Sequence, residues 1–282
     1  MTKIIDGRKI AQKVYKDLKP RVEKLAKAGV QPKLVIIGVN PDEPSKVYIR
    51  MKQRRAGELD IATEYLDLSS QSPAECEKIV AGLAEDLKVH GIIAQLPFNG
   101  WGSAQELLDH IPAEKDVDGL SSTSQELLKT DKAPLVPATP KSILELLRRE
   151  DIELKGKHIV IVGRGQLVGK PLHDILASES QDVTVAHRQT EDFSGTLQKA
   201  DVIISAAGKA GLVTGDMVKK GAVVIDAGTM DVGGELKGDV DFSSVKEKAS
   251  YISPVPGGVG PVTVAMLLEN VVEAAENLSS PQ

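Results

Sequence analysis

Apolar positions in this chain repeat with two periods. Ile10, Val14, Leu18, Val22 and Leu25 recur every three or four residues, which predicts a helix over 7–28 closed by Gly29. Pro20 falls inside that pattern, and a proline in a helix interior costs about 3 kcal/mol, so a kink or break is expected there. LVIIGV (34–39) is a short β-branched run and reads as a buried strand; SKVYIRMKQRRAGEL (45–59) reads as a helix and IATEYLDL (61–68) as a strand. Ser72-Pro73-Ala74-Glu75 has the form of a capping box with proline at the first helical position, opening a helix to about Val89. GIIAQLP (91–97) is a further buried strand. Strands alternating with helices predict parallel βαβ units.

Residues 111–140 are rich in proline and turn formers and read as a connection between domains. Thr139-Pro140 then opens a helix with Ile143, Leu144, Leu146 and Leu147 on one face. From 157 the alternation resumes, with HIVIVG, DVTVAH, ADVIISAAG and GAVVIDAG as the strands of a second parallel unit. ISPVPGGVGP is too rich in proline and glycine for regular structure. It precedes a helix whose stripe of Val264, Leu268, Val271, Ala275 and Leu278 needs a partner surface, for which the first domain is a candidate.

Composition narrows the class. The 282 residues are 41% hydrophobic and 27% charged, with a net charge of −5, which argues against a general nucleic-acid or membrane-surface binder. No apolar run approaches the roughly 20 residues that span a bilayer, and MTKIIDGRKIAQK lacks the apolar stretch of a signal peptide, so a cytoplasmic location is expected. Cys76 is the only cysteine, which excludes an intrachain disulfide, and the five histidines have no metal-ligand spacing. No serine occupies a GxSxG elbow.

The stretch IVIVGRGQLVGKP (159–171) has the form of a nucleotide loop, an apolar strand opening into glycines before a helix. Gly163, Gly165 and Gly169 give GxGxxxG where GxGxxG is usual. The next strand ends in His187-Arg188, where an NAD site would place an acidic residue on the ribose hydroxyls. With Arg164 in the loop, two guanidiniums are available for a ribose 2′-phosphate, which favours NADP; two solvated surface arginines are the alternative.

In the first half, Tyr48 and Lys52 share a helix face, which suits acid–base chemistry if the lysine pKa is lowered; a wet basic face with Lys46, Arg50, Arg54 and Arg55 is the competing reading. Gln95 stands at a strand's C-terminal end, where ligands of open α/β sheets bind, and serves either a substrate or the structure. Asp116 and Asp118 in KDVDGL offer a carboxylate for an aminopyrimidine-type ring or a cap for the turn at Gly119, and spacing alone favours the turn.

The motifs YIRMK, AQLPF, DVDGL, PATPKS, VGRGQLVGKP, VIISAAGK, VVIDAG, GDVDF and SPVPGGVGPVTVAMLLEN occur in an order that resembles the methylenetetrahydrofolate dehydrogenase/methenyltetrahydrofolate cyclohydrolase family, from about Ile5 to Asn270. The resemblance implies an α/β enzyme of one-carbon metabolism, usually a homodimer, with two parallel α/β domains flanking a cleft. Residues 1–137 with 256–282 would form the folate-binding catalytic domain, and 138–255 a Rossmann-type NADP-binding domain. It further implies that Lys52 is the cyclohydrolase lysine with Tyr48 and Gln95 as partners, and that Asp118 holds the pterin. Pro256, Gly257 and Gly258 would line the substrate site. Gly163, Arg164, Gly165, Arg188 and Thr229 would meet NADP. The chain departs from the family pattern at Gly165, where serine is common, at Ala138 and Ala186, where cysteines are frequent, and at GTM (228–230), where GIN is usual. These departures bear on NADP selectivity more than on the chemistry. A shikimate-type dehydrogenase and a catalytically silent NADP- or folate-binding regulator are the alternatives.

Overall fold

A computed structural model describes residues 1–100, 102–130 and 132–279. The chain divides into two compact units. One joins Lys13–Ala138 to the segment from Val264 onward, and the other joins Met1–Gln12 to Thr139–Thr263.

The first residues form β1 (Lys3–Ile4), followed by α1 (Gly7–Lys27). The helix runs through Pro20 without the expected break. Pro20 lies on the solvent face, so the carbonyl it leaves without an N–H partner is open to water, which lowers the cost. Next come β2 (Lys33–Gly38), α2 (Glu43–Gly57), β3 (Ala62–Asp67), α3 (Pro73–Glu85) and β4 (Gly91–Ala94). They form a parallel sheet in the order β3-β2-β4, with β2 in the centre. The β2 sequence KLVIIG has almost no polar interruption because both faces of the sheet are covered, and Val35 and Ile37 pack on one face with Cys76, Val80, Ile92 and Leu107.

α3 ends earlier than its hydrophobic pattern suggests. The buried Lys115 ammonium donates to the carbonyls of Ala84 and Asp86, both at 2.8 Å, and so takes over acceptors that another helical turn would have used. Short helices α4 (Ala104–Leu108) and α5 (Ser122–Leu128) interrupt the connecting region. Ser121 caps α5 by accepting from the Ser124 N–H at 3.2 Å.

The other unit contains α6 (Ala138–Arg149), β5 (His158–Val162), α7 (Gly169–Ser178), β6 (Asp182–Ala186), α8 (Phe193–Lys199), β7 (Val202–Ser205) and β8 (Val223–Asp226). After these come the hairpin β9 (Met230–Val232) and β10 (Glu235–Lys237), then α9 (Phe242–Lys246) and β11 (Tyr251–Ile252). Its parallel sheet has the order β1-β11-β8-β7-β5-β6. This is a doubly wound dinucleotide-type sheet, with β6 on one side of β5 and β7, β8, β11 and β1 on the other. Residues 1–12 group in space with this unit, whereas the expected folate-type domain runs over 1–137. Lys3 and Ile4 pair in register with Tyr251 and Ile252, and a Cβ on Gly7 would stand 1.8 Å from the Gly258 carbonyl oxygen.

The last helix, α10 (Val259–Ser279), starts inside the glycine-rich stretch, earlier than its apolar stripe begins. From Val264 onward its partner surface is the first sheet unit. Val271 packs at Gly91, and Arg21 of α1 grips Glu276 at 2.7 and 3.1 Å and Glu269 at 3.3 Å.

Candidate functional site

In the β3-β2-β4 sheet, chain direction reverses its lateral sense at β2, and ligand sites of open α/β sheets form beyond the C-terminal strand ends at such a point. Gln95 directly follows β4, its N–H held by the Ile37 carbonyl at 2.8 Å. The Gln95 Nε2 donates to the Leu96 carbonyl at 3.1 Å, which leaves Oε1 to accept from Lys52 Nζ at 2.9 Å. Lys52 reaches that point from α2, which Asp42 starts by accepting from the Ser45 N–H at 2.8 Å. Ile49 and Ala56 anchor the helix, while Lys46, Arg50 and Arg54 form its wet face. Lys52 is not part of that wet face: it is turned inward and only partly exposed.

Asp116 and Asp118 divide the two roles left open by their spacing. The Asp116 carboxylate is buried and accepts from the N–H groups of Gly119, at 2.9 Å, and Ser121, at 2.8 Å. Gly119 sits at φ +67°, a conformation that favours glycine. With the turn fixed by its neighbour, the Asp118 carboxylate accepts no hydrogen bond among the described residues, and its charge acts on Lys52. Burial pushes the Lys52 amine below the usual lysine range, against the pull of Asp118. It likewise pushes Asp118 up, opposed by Lys52 and reinforced by Asp116. Both groups keep some surface open to water, so they are walled in without being sealed. The site thus holds an amine that burial makes easier to deprotonate beside a carboxylate with free acceptors.

Tyr48 lies four residues before Lys52 on α2 but is 39% exposed, and among the described residues its hydroxyl makes no hydrogen bond. Sequence reasoning missed Asn270. From α10 its Nδ2 donates to the carbonyls of Val117, at 2.9 Å, and Val136, at 2.7 Å, so it fixes the backbone next to Asp118. An amide on an otherwise apolar, fully buried helix face was the available signal.

In the other unit the lateral reversal falls between β5 and β7, and a pocket of about 450 Å³ opens there. Gly163, Arg164, Gly165, His187, Arg188 and Lys209 are among its lining residues. Its glycine spacing now has a steric reason. Gly163 has φ +105°, and a Cβ there would stand 2.6 Å from the Ala206 carbonyl oxygen. A Cβ on Gly169 would stand 2.2 Å from the Gly163 carbonyl oxygen, so the third glycine lets α7 start against the first. Around Gly165 there is open space, which leaves that backbone free for a ligand to approach. α7 begins without a side-chain cap; in its first turn Pro171 has no N–H, and the Lys170 N–H is spent on the Gly165 carbonyl at 3.0 Å.

Arg188 stands on a turn tied at both ends, with the His187 N–H donating to Thr190 Oγ1 at 3.0 Å and the Thr190 N–H to the His187 carbonyl at 2.7 Å. Arg164 and Arg188 therefore do line one pocket, although both are exposed. Lys209 joins them, and sequence reasoning missed it inside VIISAAGK. Thr229 is exposed just beyond β8 and is not among the residues lining this pocket. Pro256, Gly257 and Gly258 form the turn after β11, with Gly257 at φ +109° and Gly258 pressed against the Pro254 carbonyl. This pocket, with its close backbone approach and basic side chains, fits a phosphorylated dinucleotide.

The sequence model of the tetrahydrofolate dehydrogenase/cyclohydrolase catalytic domain matches residues 5–118, and that of the family's NAD(P)-binding domain matches 137–279. The bifunctional protein FolD of Lactobacillus acidophilus is 42% identical over 274 residues, 97% of each chain. The bifunctional methylenetetrahydrofolate dehydrogenase/cyclohydrolase of Campylobacter jejuni superposes with a TM-score of 0.93 at 36% identity, over 98% of this chain and 99% of that one. The corresponding Trypanosoma brucei enzyme, solved with NADP and an inhibitor, gives 0.92 at 36% identity, over 98% of each chain. On these matches, which run along nearly its whole length, the chain belongs to the tetrahydrofolate dehydrogenase/cyclohydrolase family.

Proposed function

We propose that the protein oxidises 5,10-methylenetetrahydrofolate with NADP and hydrolyses the resulting 5,10-methenyltetrahydrofolate to 10-formyltetrahydrofolate. The observation that carries the reading is the Lys52–Gln95 pair beside Asp118, in a chain of this family. A shikimate-type dehydrogenase does not account for the match of the catalytic-domain model over 5–118, and retention of Lys52 and Asp118 speaks against a silent binder.

In the first step the methylene carbon, set between two nitrogens, loses hydride as their lone pairs delocalise into an amidinium cation. NADP supplies the hydride acceptor. No strong acid or base is required, and alignment does most of the work. The chain's part is to hold the dinucleotide, with Gly163 and Gly165 giving backbone access, Arg164 and Arg188 pairing with phosphate, and Thr229 on the nicotinamide side. In the second step water adds to the methenyl carbon, a proton leaves, and the carbon–N5 bond breaks to give the 10-formyl product. Lys52 takes the proton from the adding water as a neutral amine, and Gln95 keeps that amine oriented. Tyr48 is assigned as their partner from its place on α2. Asp118 accepts N–H groups of the pterin, and Pro256, Gly257 and Gly258 contact substrate. Assembly as a homodimer rests on the family resemblance. A cytoplasmic location is in keeping with the acidic composition, and no described helix is long and apolar enough to cross a membrane.

Mixing the protein with methylenetetrahydrofolate and NADP, with NAD in parallel, tests the reading through the absorbance of methenyltetrahydrofolate. Growth and decay of that band is expected, and its absence with both coenzymes refutes the proposal. Arg188→Ala should lower the NADP preference over NAD about ten-fold, the worth of one charge-assisted phosphate contact. An unmoved ratio of kcat/KM values would remove Arg188 from the 2′-phosphate site.

A further inference from the structure

Two buried carboxylates, Asp226 and Asp239, lie in the segments VVIDAG and GDVDF and have no part in the scheme above. Asp226 ends β8. It accepts from the N–H groups of Gly228 at 3.0 Å, Asp239 at 3.1 Å and Val240 at 2.9 Å, and its own N–H donates to Ser253 Oγ at 2.7 Å. The segment held in this way delivers Asp239. Its Oδ2 accepts from Ser205 Oγ at 2.9 Å, the Ala207 N–H at 2.6 Å and the Gly208 N–H at 3.3 Å, and its Oδ1 from the Lys209 N–H at 2.7 Å.

Ser205 is the last residue of β7, and Ala206, Ala207, Gly208 and Lys209 line the pocket between β5 and β7. Successive backbone N–H groups curled around one oxygen make an anion-binding concavity. In this protein the anion is a side chain of the same unit. Each carboxylate also rests against a glycine: a Cβ on Gly228 would stand 2.1 Å from Asp239 Cγ, and one on Gly238 would stand 2.0 Å from Asp226 Oδ2. A loop with its N–H groups turned inward in this way offers a ligand the Lys209 side chain and a fixed backbone surface.

We infer that Asp239 is a positioning residue for the dinucleotide pocket: it serves as a built-in anion that shapes the Ala206–Lys209 loop and sets Lys209 in the same wall as Arg164 and Arg188. Asp226 acts one step behind it by anchoring the segment that carries Asp239. The inference rests on reading this pocket as the NADP site.

Hydrogen exchange on the nucleotide-free wild-type protein tests the core of the idea. The amides of Ala207, Gly208 and Lys209 are expected to be protected, and exchange at the rate of an open loop overturns the inference. Asp239→Asn keeps the shape but aims an amide N–H at the loop's own donors. It should raise the NADP Kd and KM about ten-fold or more, with kcat at saturating NADP nearly unchanged. Hydrolysis of methenyltetrahydrofolate supplied without nucleotide should be unaffected. NADP affinity equal to wild type in a folded Asp239→Asn protein overturns the assignment. Should that variant not fold, Ser205→Ala removes a single donor to the same carboxylate. Faster exchange at 207–209 and a few-fold rise in NADP Kd are then expected, and no change in either is the contrary result. Failure of the wild-type protein to bind NADP would instead strike the functional proposal, leaving the exchange measurement to judge the loop by itself.

Discussion

Lys52→Met is expected to lower cyclohydrolase turnover above the uncatalysed rate by about 10²–10⁴-fold, the usual worth of a positioned proton-transfer group. Oxidation of methylenetetrahydrofolate should continue, because hydride loss needs no base. Methionine is unbranched and of similar length, so it fills the space of the lysine stem, and Gln95 stays tied to the Leu96 carbonyl when its amine partner is gone. The pH profile adds a second check. Burial holds the Lys52 pKa below the usual lysine value, and a bound cationic substrate pushes in the same direction. Since the neutral amine is the base, turnover should rise with pH through that lowered pKa and level off above it. The variant should lack this limb. Methenyl hydrolysis at the wild-type rate would contradict the assignment, and so would a wild-type profile that falls across the same range.

How far the sequence carried the reading depends on the range of the contacts involved. β2, β4, β5 and β7 are legible because a strand covered on both faces is written as a β-branched run. β1 and β11 are two residues each, and Lys3–Ile4 becomes a strand only by pairing with Tyr251–Ile252 at the far end of the chain. No local pattern encodes that pairing, so the grouping of the first twelve residues with the dinucleotide-type sheet is not legible from their own sequence. The β9–β10 hairpin went unread for another reason. Its strands, MDV and ELK, are three exposed residues each, too short for their alternation to stand out as a strand pattern.

The site divides along the same line. Helix spacing and a strand end, both local features, single out Lys52 and Gln95 but leave a wet basic face and a structural glutamine open, and only the family resemblance gives the two a role. Asn270 and Asp239 act on backbone 153 and about 30 residues away, and only the folded chain shows what their side chains hold. The Asp116 and Asp118 pair is the intermediate case. Spacing identified both carboxylates, but not which one the turn would consume.

That last distinction sets up the expected effect of Asp118→Ala. A carboxylate accepting two N–H groups of a pterin contributes about 3 kcal/mol, so the folate Kd should rise on the order of 10²-fold while the NADP Kd stays put. Isothermal titration of each ligand checks this, and equal losses for both would point to general damage. Asp116→Ala is the informative control. It strips the caps from Gly119 and Ser121 and should lower thermal stability together with folate affinity, whereas Asp118, which spends no acceptor on the fold, should cost little stability. The wild-type pH dependence follows from the same carboxylate. Asp118 must be ionised to accept two donors, and burial raises its pKa, so folate affinity should fall with acidification starting above the usual aspartate range. The charge of Asp118 also supports the protonated form of Lys52. Its removal should therefore move the rising limb of cyclohydrolase turnover, measured at saturating folate, to lower pH. A limb that stays in place would separate Asp118 from Lys52, even if folate binding were lost.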